Sequence, residues 1–191
     1  MKAALVLIEM QNDYFPGGRM PLEESVEVGR KVQDVLGFYR AKKLPIMHIQ
    51  QISTRPNATH FLPCTRGVEF YAATQPEKSE TVIRKHYPNS FKDTNLLAFL
   101  QKQGIEHIVI AGMMTHMSIE ATTRAAYDLG ITCTVLMDGC TTMSLEFNHM
   151  LVPMQTVHYA FLGALSPLYA TTVSAADHMQ TISTRLLAET A

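Results

Sequence analysis

The sequence predicts an α/β fold in which a mainly parallel sheet lies between two layers of helices. Short apolar runs alternate with longer segments of helical periodicity along the 191 residues. The clearest apolar runs are continuous, which is typical of strands covered on both faces. A regular alternation of strands and helices places the strands in parallel and the helices on both sides of the sheet.

The elements follow in order along a single domain, residues 1–191. Strands are predicted at residues 3–8, 45–49, 81–85, 108–111, 132–137 and 169–173. Helices are predicted at residues 23–41, 95–103, 118–129, 145–165 and 175–188, and Pro153 could break the fourth of them. Gly104 and Gly130 follow two of these helices, as glycine commonly does at a helix end. Residues 50–88 are largely irregular, and a loop of that length often covers a site or an interface.

Composition limits the class of protein. Apolar residues make up 47% of the chain and charged residues 17%, which suits a large buried sheet and excludes disorder. A net charge of −1 supplies no basic field for nucleic acid or for an anionic membrane. The N-terminal apolar run has six residues, too few for a signal peptide, so a cytoplasmic protein is expected. Three cysteines without close spacing favour neither a disulfide framework nor a zinc knuckle.

Three residues could carry chemistry at the carboxyl ends of strands, where sites of such sheets lie. Glu9 follows the first strand directly, although it could be an ordinary surface acid. Lys85 ends a predicted strand and could pair with that acid, although most lysines are solvated. Ser118 opens a predicted helix, where neighbouring amides could form an oxyanion hole, although serine is also a preferred N-cap.

The histidines give no sign of a metal centre. His48 and His116 lack the close spacing that metal ligands usually show, so neither a metal nor another cofactor is expected. Phosphate-binding and dinucleotide-binding glycine motifs are absent from the sequence.

Three ordered motifs together resemble the isochorismatase-like family, also called the isochorismatase-type cysteine hydrolases. They are LIEMQNDYFPGG, RKHYPNSF and AGMMTHMSIEATTRAAYDLG. The resemblance covers about residues 3–175 and implies a six-stranded sheet with helices on both sides. It maps the family's Asp, Lys and Cys triad onto Glu9, Lys85 and Ser118. It also implies an oxyanion hole at Met114, Thr115 and Ser118, with a cis peptide bond at Met114–Thr115.

The sequence departs from this family pattern at two triad positions. Glu9 is one methylene longer than the usual Asp. Ser118 replaces the usual Cys, and an alcohol needs a base to remove its proton during attack. The family's nicotinamidases bind a metal through an Asp-x-His set, which the segment HIQQISTRPNATHF lacks.

The sequence is compatible with three functions. The first is hydrolysis of a small amide or related C–N bond, with Glu9 as base and Ser118 as nucleophile. The second is an isochorismatase-type vinyl-ether hydrolase with Glu9 as general acid. The third is a catalytically impaired family member that is kept for binding or assembly.

The chain is expected to bind a small-molecule substrate and copies of itself, but no nucleic acid and no membrane. The irregular segment is expected to help shape a pocket for a small-molecule substrate. The candidate pocket walls are aromatic: Phe15, Phe61, Phe70, Tyr71 and Tyr87. The resemblance implies a homodimer or a homotetramer.

Overall fold

The computed structural model describes residues 2–189 and contains one sheet of six parallel strands. The strand order is β3-β2-β1-β4-β5-β8. The strands of this sheet are β1 (Ala3–Ile8), β2 (Ile46–Gln51), β3 (Thr81–Lys85), β4 (His107–Met113), β5 (Thr132–Thr141) and β8 (Thr171–Val173). The predicted six-stranded parallel sheet is therefore confirmed.

Helices cover both faces of the sheet, as the sequence predicts. They are α1 (Ser25–Ala41), α2 (Leu96–Gln103), α3 (Glu120–Asp128), α4 (Met154–Leu165) and α5 (Ala175–Glu189). Helices α1 and α5 contribute to one apolar core, and α2, α3 and α4 contribute to the other. Both cores exclude water from the sheet, which explains why its strands are apolar on both faces.

Strand β1 shows how one run of residues serves both cores. Leu5 and Leu7 belong to the core beneath α1, whereas Ala4, Val6 and Ile8 belong to the opposite core. Side chains of a strand alternate between its faces, so an unbroken apolar run is required here. The run ends at Ile8, and the next residue is the acid Glu9.

The predicted helix at residues 145–165 is wrong in its first half. The chain there forms an antiparallel hairpin of β6 (Leu145–Phe147) and β7 (Met150–Val152), and α4 begins only at Met154. Asn148 and His149 have φ angles of 49° and 62°, the left-handed conformation of a tight hairpin turn. Pro153 also disfavours helical geometry in the residue before it, so the helix begins after the proline.

Several predicted strand boundaries also differ from the structure, and β2 and β4 each extend two residues further at the carboxyl end. Strand β5 continues four residues beyond the predicted end, because its second half pairs again with β4 after an irregularity in register. Strand β8 is limited to the three residues that pair with β5. Among residues 2–189, we find no helix with the length and apolar character needed to span a membrane.

His178 on α5 makes the stability of this fold sensitive to acid. Its Nε2 lies 2.8 Å from the Tyr39 hydroxyl of α1, and burial, with a smaller effect of His107, lowers the pKa of His178 to about 4. Because the usual pKa is 6.5, the unfolded state binds more protons between about pH 6.5 and pH 4, and the free energy of unfolding falls as pH falls through that window. We expect a loss of about 1–2 kcal/mol from this half-buried group.

The measurement is urea unfolding of the protein and of His178→Gln at pH 7 and pH 4.5. The variant should lose less stability on acidification than the unchanged protein does. His149→Gln, at the exposed hairpin turn, serves as the control and should behave like the unchanged protein. An identical pH dependence in His178→Gln would contradict the assignment.

Candidate active site

Glu9 lies at the carboxyl end of the central strand β1, and its side chain is buried. Its φ of 54° turns the chain sharply after Ile8, while its backbone N–H still donates to the Ile49 carbonyl at 2.9 Å. Strand β4 passes very close to this turn. A Cβ at Gly112 would lie 2.0 Å from the Ile8 carbonyl oxygen, so only glycine fits there.

The structure brings Glu9, Lys85 and Ser118 into direct contact. Lys85 Nζ lies 2.6 Å from Glu9 Oε1 and donates to Ser118 Oγ at 2.9 Å. The Ser118 hydroxyl donates in turn to Glu9 Oε1. All three side chains are buried, so their hydrogen bonds replace water and hold one geometry.

Lys85 ends β3, two strands from β1, and its ammonium has an acceptor for each of its three protons. The third acceptor is the Pro88 carbonyl, at 2.7 Å. Burial lowers the pKa of Lys85, and the charge and hydrogen bond of Glu9 oppose that effect. A charged ammonium has three protons to donate, and each of them has an acceptor here. The surroundings of Lys85 therefore favour its protonated form.

Tyr14 completes the surroundings of the Glu9 carboxylate. Its hydroxyl donates to Glu9 Oε2 at 3.1 Å. Burial raises the pKa of Tyr14 well above its usual value, and the nearby Glu9 charge raises it further. Tyr14 therefore stays protonated and acts as a donor. Sequence reasoning missed this residue, although it lies within the first of the three motifs.

Ser118 does not cap a helix. It lies inside a π-helical turn, Thr115–Ile119, and α3 begins two residues later at Glu120. The predicted helix start at Ser118 is therefore wrong, because this wider turn comes first. No cap hydrogen bond is made at the start of this turn or of α3, and the Ser118 hydroxyl points to Glu9 instead.

The cis peptide bond lies one residue before the predicted position. It joins Met113 and Met114, not Met114 and Thr115. The ladder between β4 and β5 continues to the pair Met113 and Thr141, so the bond directly after the strand is 113–114.

The three predicted oxyanion-hole residues lie together in this connection. Met114 and Ser118 line the same cavity as Glu9. Thr115 is fully buried, and its Oγ1 lies 3.2 Å from the Thr141 carbonyl and 2.9 Å from Nδ1 of His158. The use of their backbone N–H groups as an oxyanion hole stays a prediction.

A cavity of about 350 Å³ opens over Glu9 and Ser118. Methionines form much of its apolar wall: Met20, Met114, Met117 and Met143. The remainder comes largely from residues 51–61, so the irregular segment helps shape the pocket as the sequence predicts. A volume near the low end for ligand pockets suits a small substrate.

Only one of the five predicted aromatic walls, Phe61, lines this cavity. Phe15 and Tyr71 stack on each other instead, with ring centroids 3.6 Å apart. Phe70 packs edge-on against buried His48, and Tyr87 is partly exposed beneath the Lys92 ammonium. The prediction is therefore wrong for these four residues. Residues 66–71 pair with the first motif away from the cavity, which removes Phe15, Phe70 and Tyr71 from its wall, and Tyr87 lies on the surface.

Two polar residues of the first motif hold the irregular segment in place. The Gln11 side chain bonds the Gln51 backbone and also donates to the Val68 carbonyl at 2.8 Å. Asp13 is buried and accepts from the Phe61 N–H at 2.6 Å and from the Arg19 N–H at 3.0 Å. Sequence reasoning quoted both residues within the motif but assigned them no role.

Removal of the Asp13 carboxylate should loosen the segment that shapes the cavity. In Asp13→Ala the two backbone N–H groups lose a charged acceptor, so we expect a loss of about 2–4 kcal/mol in the free energy of unfolding. Limited proteolysis should then cut within residues 53–80. Asp34→Ala, at an exposed position of α1, is the control. Unchanged stability together with unchanged proteolysis would contradict this role for Asp13.

None of the three cysteines lines this cavity. Cys64 is exposed, whereas Cys133 and Cys140 are buried in β5, where burial raises the pKa of each thiol to about 12. Within the part of the chain that the structure describes, no group of three or more His, Cys, Asp or Glu could hold a metal ion.

The fold and the site together define a class of protein: single-domain α/β proteins with a buried acid, a lysine and a serine in contact at the carboxyl edge of a parallel sheet. Comparison with known proteins identifies the family. The sequence matches the Isochorismatase domain over residues 3–177, and the chain belongs to the isochorismatase family of hydrolases.

Relatives agree with this assignment along nearly the whole chain. The isochorismatase family protein YddQ of Bacillus subtilis is 43% identical over 90% of this chain and 95% of its own. Nicotinamidase 3 of Arabidopsis thaliana is 24% identical over 84% of this chain and 83% of its own. A crystal structure of an isochorismatase-type protein from Oleispira antarctica superimposes with a TM-score of 0.90 at 40% identity, covering 94% of this chain and 96% of that one.

Proposed function

We propose that this protein hydrolyses a small amide or a related C–N bond with Ser118 as nucleophile. The observation that carries the proposal is the contact of Ser118 Oγ with both a buried carboxylate, Glu9, and a buried ammonium, Lys85. A serine in this position has a base to take its proton and a cation beside its developing negative charge.

The proposed reaction begins when Ser118 Oγ attacks the carbonyl carbon. Glu9 takes the hydroxyl proton, a C–O bond forms, and the carbonyl electron pair moves to oxygen. Collapse of this intermediate breaks the C–N bond, and Glu9 returns the proton to the leaving nitrogen. Water then attacks the acyl-serine, with Glu9 again as base. The C–O bond to Ser118 Oγ breaks, Glu9 returns the proton to that oxygen, and the acid is released. Lys85 stays protonated and stabilises charge on Ser118 Oγ.

The hydrogen bonds around Glu9 favour this role over that of a general acid. Its carboxylate accepts from Ser118, Lys85 and Tyr14, so both oxygens already act as acceptors. A vinyl-ether hydrolase would instead need a protonated Glu9 that donates to the substrate. The surrounding donors therefore support base catalysis, and with it the amide reaction.

The test is release of ammonia from a panel of small primary amides and ureido acids. We expect turnover by the unchanged protein and none by Ser118→Ala. Ser53→Ala is the matched control, because Ser53 lines the cavity but does not belong to the trio of Glu9, Lys85 and Ser118. Turnover of isochorismate that persists in Ser118→Gly would support the vinyl-ether reaction instead. An absence of both activities would favour a binding role.

We further propose that the chain forms a homodimer or a homotetramer. The β6–β7 hairpin and neighbouring α4 expose large apolar side chains: Phe147 at 79%, Leu151 at 71% and Tyr159 at 68%. Apolar groups so exposed commonly mark a contact surface. Sedimentation equilibrium should show an assembled species that Phe147→Asp weakens, and a monomer at all concentrations would contradict the proposal.

A further inference from the structure

The cavity over Ser118 has an arginine in its lining that takes no part in the contacts of Glu9, Lys85 and Ser118. Glu9 lines the cavity and is paired with Lys85 directly behind it. Arg55 also lines the cavity, and no ion pair involves it among residues 2–189. The charges of Glu9 and Lys85 balance each other and the buried Asp13 carboxylate is not part of the lining, so Arg55 is available to an anionic ligand in the cavity.

Arg55 is exposed to solvent, but it lies at the wall of the cavity. Burial lowers the pKa of His60, the charges of Asp13 and Glu9 oppose that effect, and the nearby Arg55 charge lowers the pKa further. His60 packs against Phe61, with ring centroids 5.0 Å apart, and both rings line the cavity. Phe61 is fixed in turn by the Asp13 carboxylate.

The cavity that Ser118 and Arg55 both line has largely apolar walls. Met20, Met117 and Met143 line the cavity, and thioether side chains adapt to an apolar ligand of varied shape. A ligand that reaches from Ser118 toward Arg55 therefore needs a reactive group at one end, an apolar middle and a group that pairs with a guanidinium at the other end. A carboxylate fits the planar guanidinium best, because it can accept two parallel hydrogen bonds.

We infer that the site selects amides whose second end carries a carboxylate, and that Arg55 is the residue that binds this carboxylate. This inference rests on the proposed amide hydrolysis and names the substrate class of the same site. Arg55 acts in recognition, and the chemical step stays with the trio. The pairing lies near solvent, so it should weaken as salt increases.

The experiment measures binding to Ser118→Ala, which holds amides without turning them over. The probes are chains of four, five and six carbons with a primary amide at one end. The other end of each chain is a carboxylate, a methyl group or an ammonium, as in adipamate, hexanamide and 6-aminohexanamide. At the best chain length we expect the carboxylate to bind about tenfold more tightly than the methyl compound, and the ammonium compound to bind more weakly than both.

Adding Arg55→Gln should remove the preference for the carboxylate, whereas Arg30→Gln should leave it unchanged. Arg30 is exposed on α1 and does not line the cavity, so it matches the change in net charge. No preference for the carboxylate at any length, no measurable binding of the carboxylates, or a preference that survives Arg55→Gln would overturn the inference.

The two proposals can fail separately. Binding of a carboxylate through Arg55 without turnover of any amide by the unchanged protein would sustain the recognition role and refute the hydrolysis. Turnover of neutral amides at the same rate as their carboxylate counterparts would sustain the hydrolysis and refute the role of Arg55.

Discussion

Lys85→Met should lower the free energy of unfolding by about 3–5 kcal/mol, the usual cost of breaking a buried ion pair by removal of one partner. The side chain of Lys85 is fully buried, and its ammonium lies 2.6 Å from the Glu9 carboxylate. Methionine has a similar length but no charge, so Glu9 would keep a buried charge without its cation. Urea unfolding measures the loss.

Two further variants separate charge from packing in this prediction. Glu9→Gln combined with Lys85→Met should recover much of the stability, since no buried charge is left unpaired. Lys78→Met, at an exposed lysine, should change stability by less than about 0.5 kcal/mol. A loss of under about 1 kcal/mol in Lys85→Met would show that the pair contributes little to the fold.

Ser118→Cys should raise the rate of amide hydrolysis by about tenfold or more. A thiol ionises far more readily than an alcohol, and a neighbouring cation lowers the pKa of a thiol further. Position 118 supplies such a cation, because Lys85 Nζ lies 2.9 Å from Ser118 Oγ. The measurement is kcat/KM for the best amide of the panel.

The control places the same thiol elsewhere in the same cavity. Ser53→Cys lines the cavity but lacks the contacts with Glu9 and Lys85, so it should show no gain. An equal gain in both variants, or no gain in Ser118→Cys, would contradict the assignment of position 118 as the nucleophile.

The sequence predicts the location of the site because the trio follows a general rule of parallel sheets. Glu9 and Lys85 mark the carboxyl ends of two strands, and the resemblance adds Ser118 and the order of the motifs. Local sequence patterns suffice to predict where these residues lie, because each one is at the end of a strand or in the turn that follows a strand.

Contacts between distant segments could not be predicted in the same way. Asp13 binds the Phe61 N–H, which is 48 residues away along the chain. The sequence between them has no periodic pattern that would reveal this pairing. The stacking of Phe15 on Tyr71 likewise depends on where the irregular segment returns to the first motif, and three of the five predicted aromatic walls, Phe15, Phe70 and Tyr71, were misplaced for this reason.

The hairpin before α4 shows a local ambiguity. Leu145, Phe147, Met150 and Leu151 also fit helical spacing, and apolar runs this short do not distinguish a helix from a strand. The left-handed turn at Asn148 and His149 decides in favour of the hairpin. Pro153 is the sequence signal for this boundary, and α4 begins directly after it.

Formation of an acyl group on Ser118, with Glu9 as the base, can be measured directly by mass spectrometry of peptides after brief reaction with p-nitrophenyl acetate. We expect one acetyl group on the peptide that contains Ser118, absent in Ser118→Ala and strongly reduced in Glu9→Gln. An unmodified Ser118, or an acetyl group that accumulates equally in Glu9→Gln, would contradict the proposal.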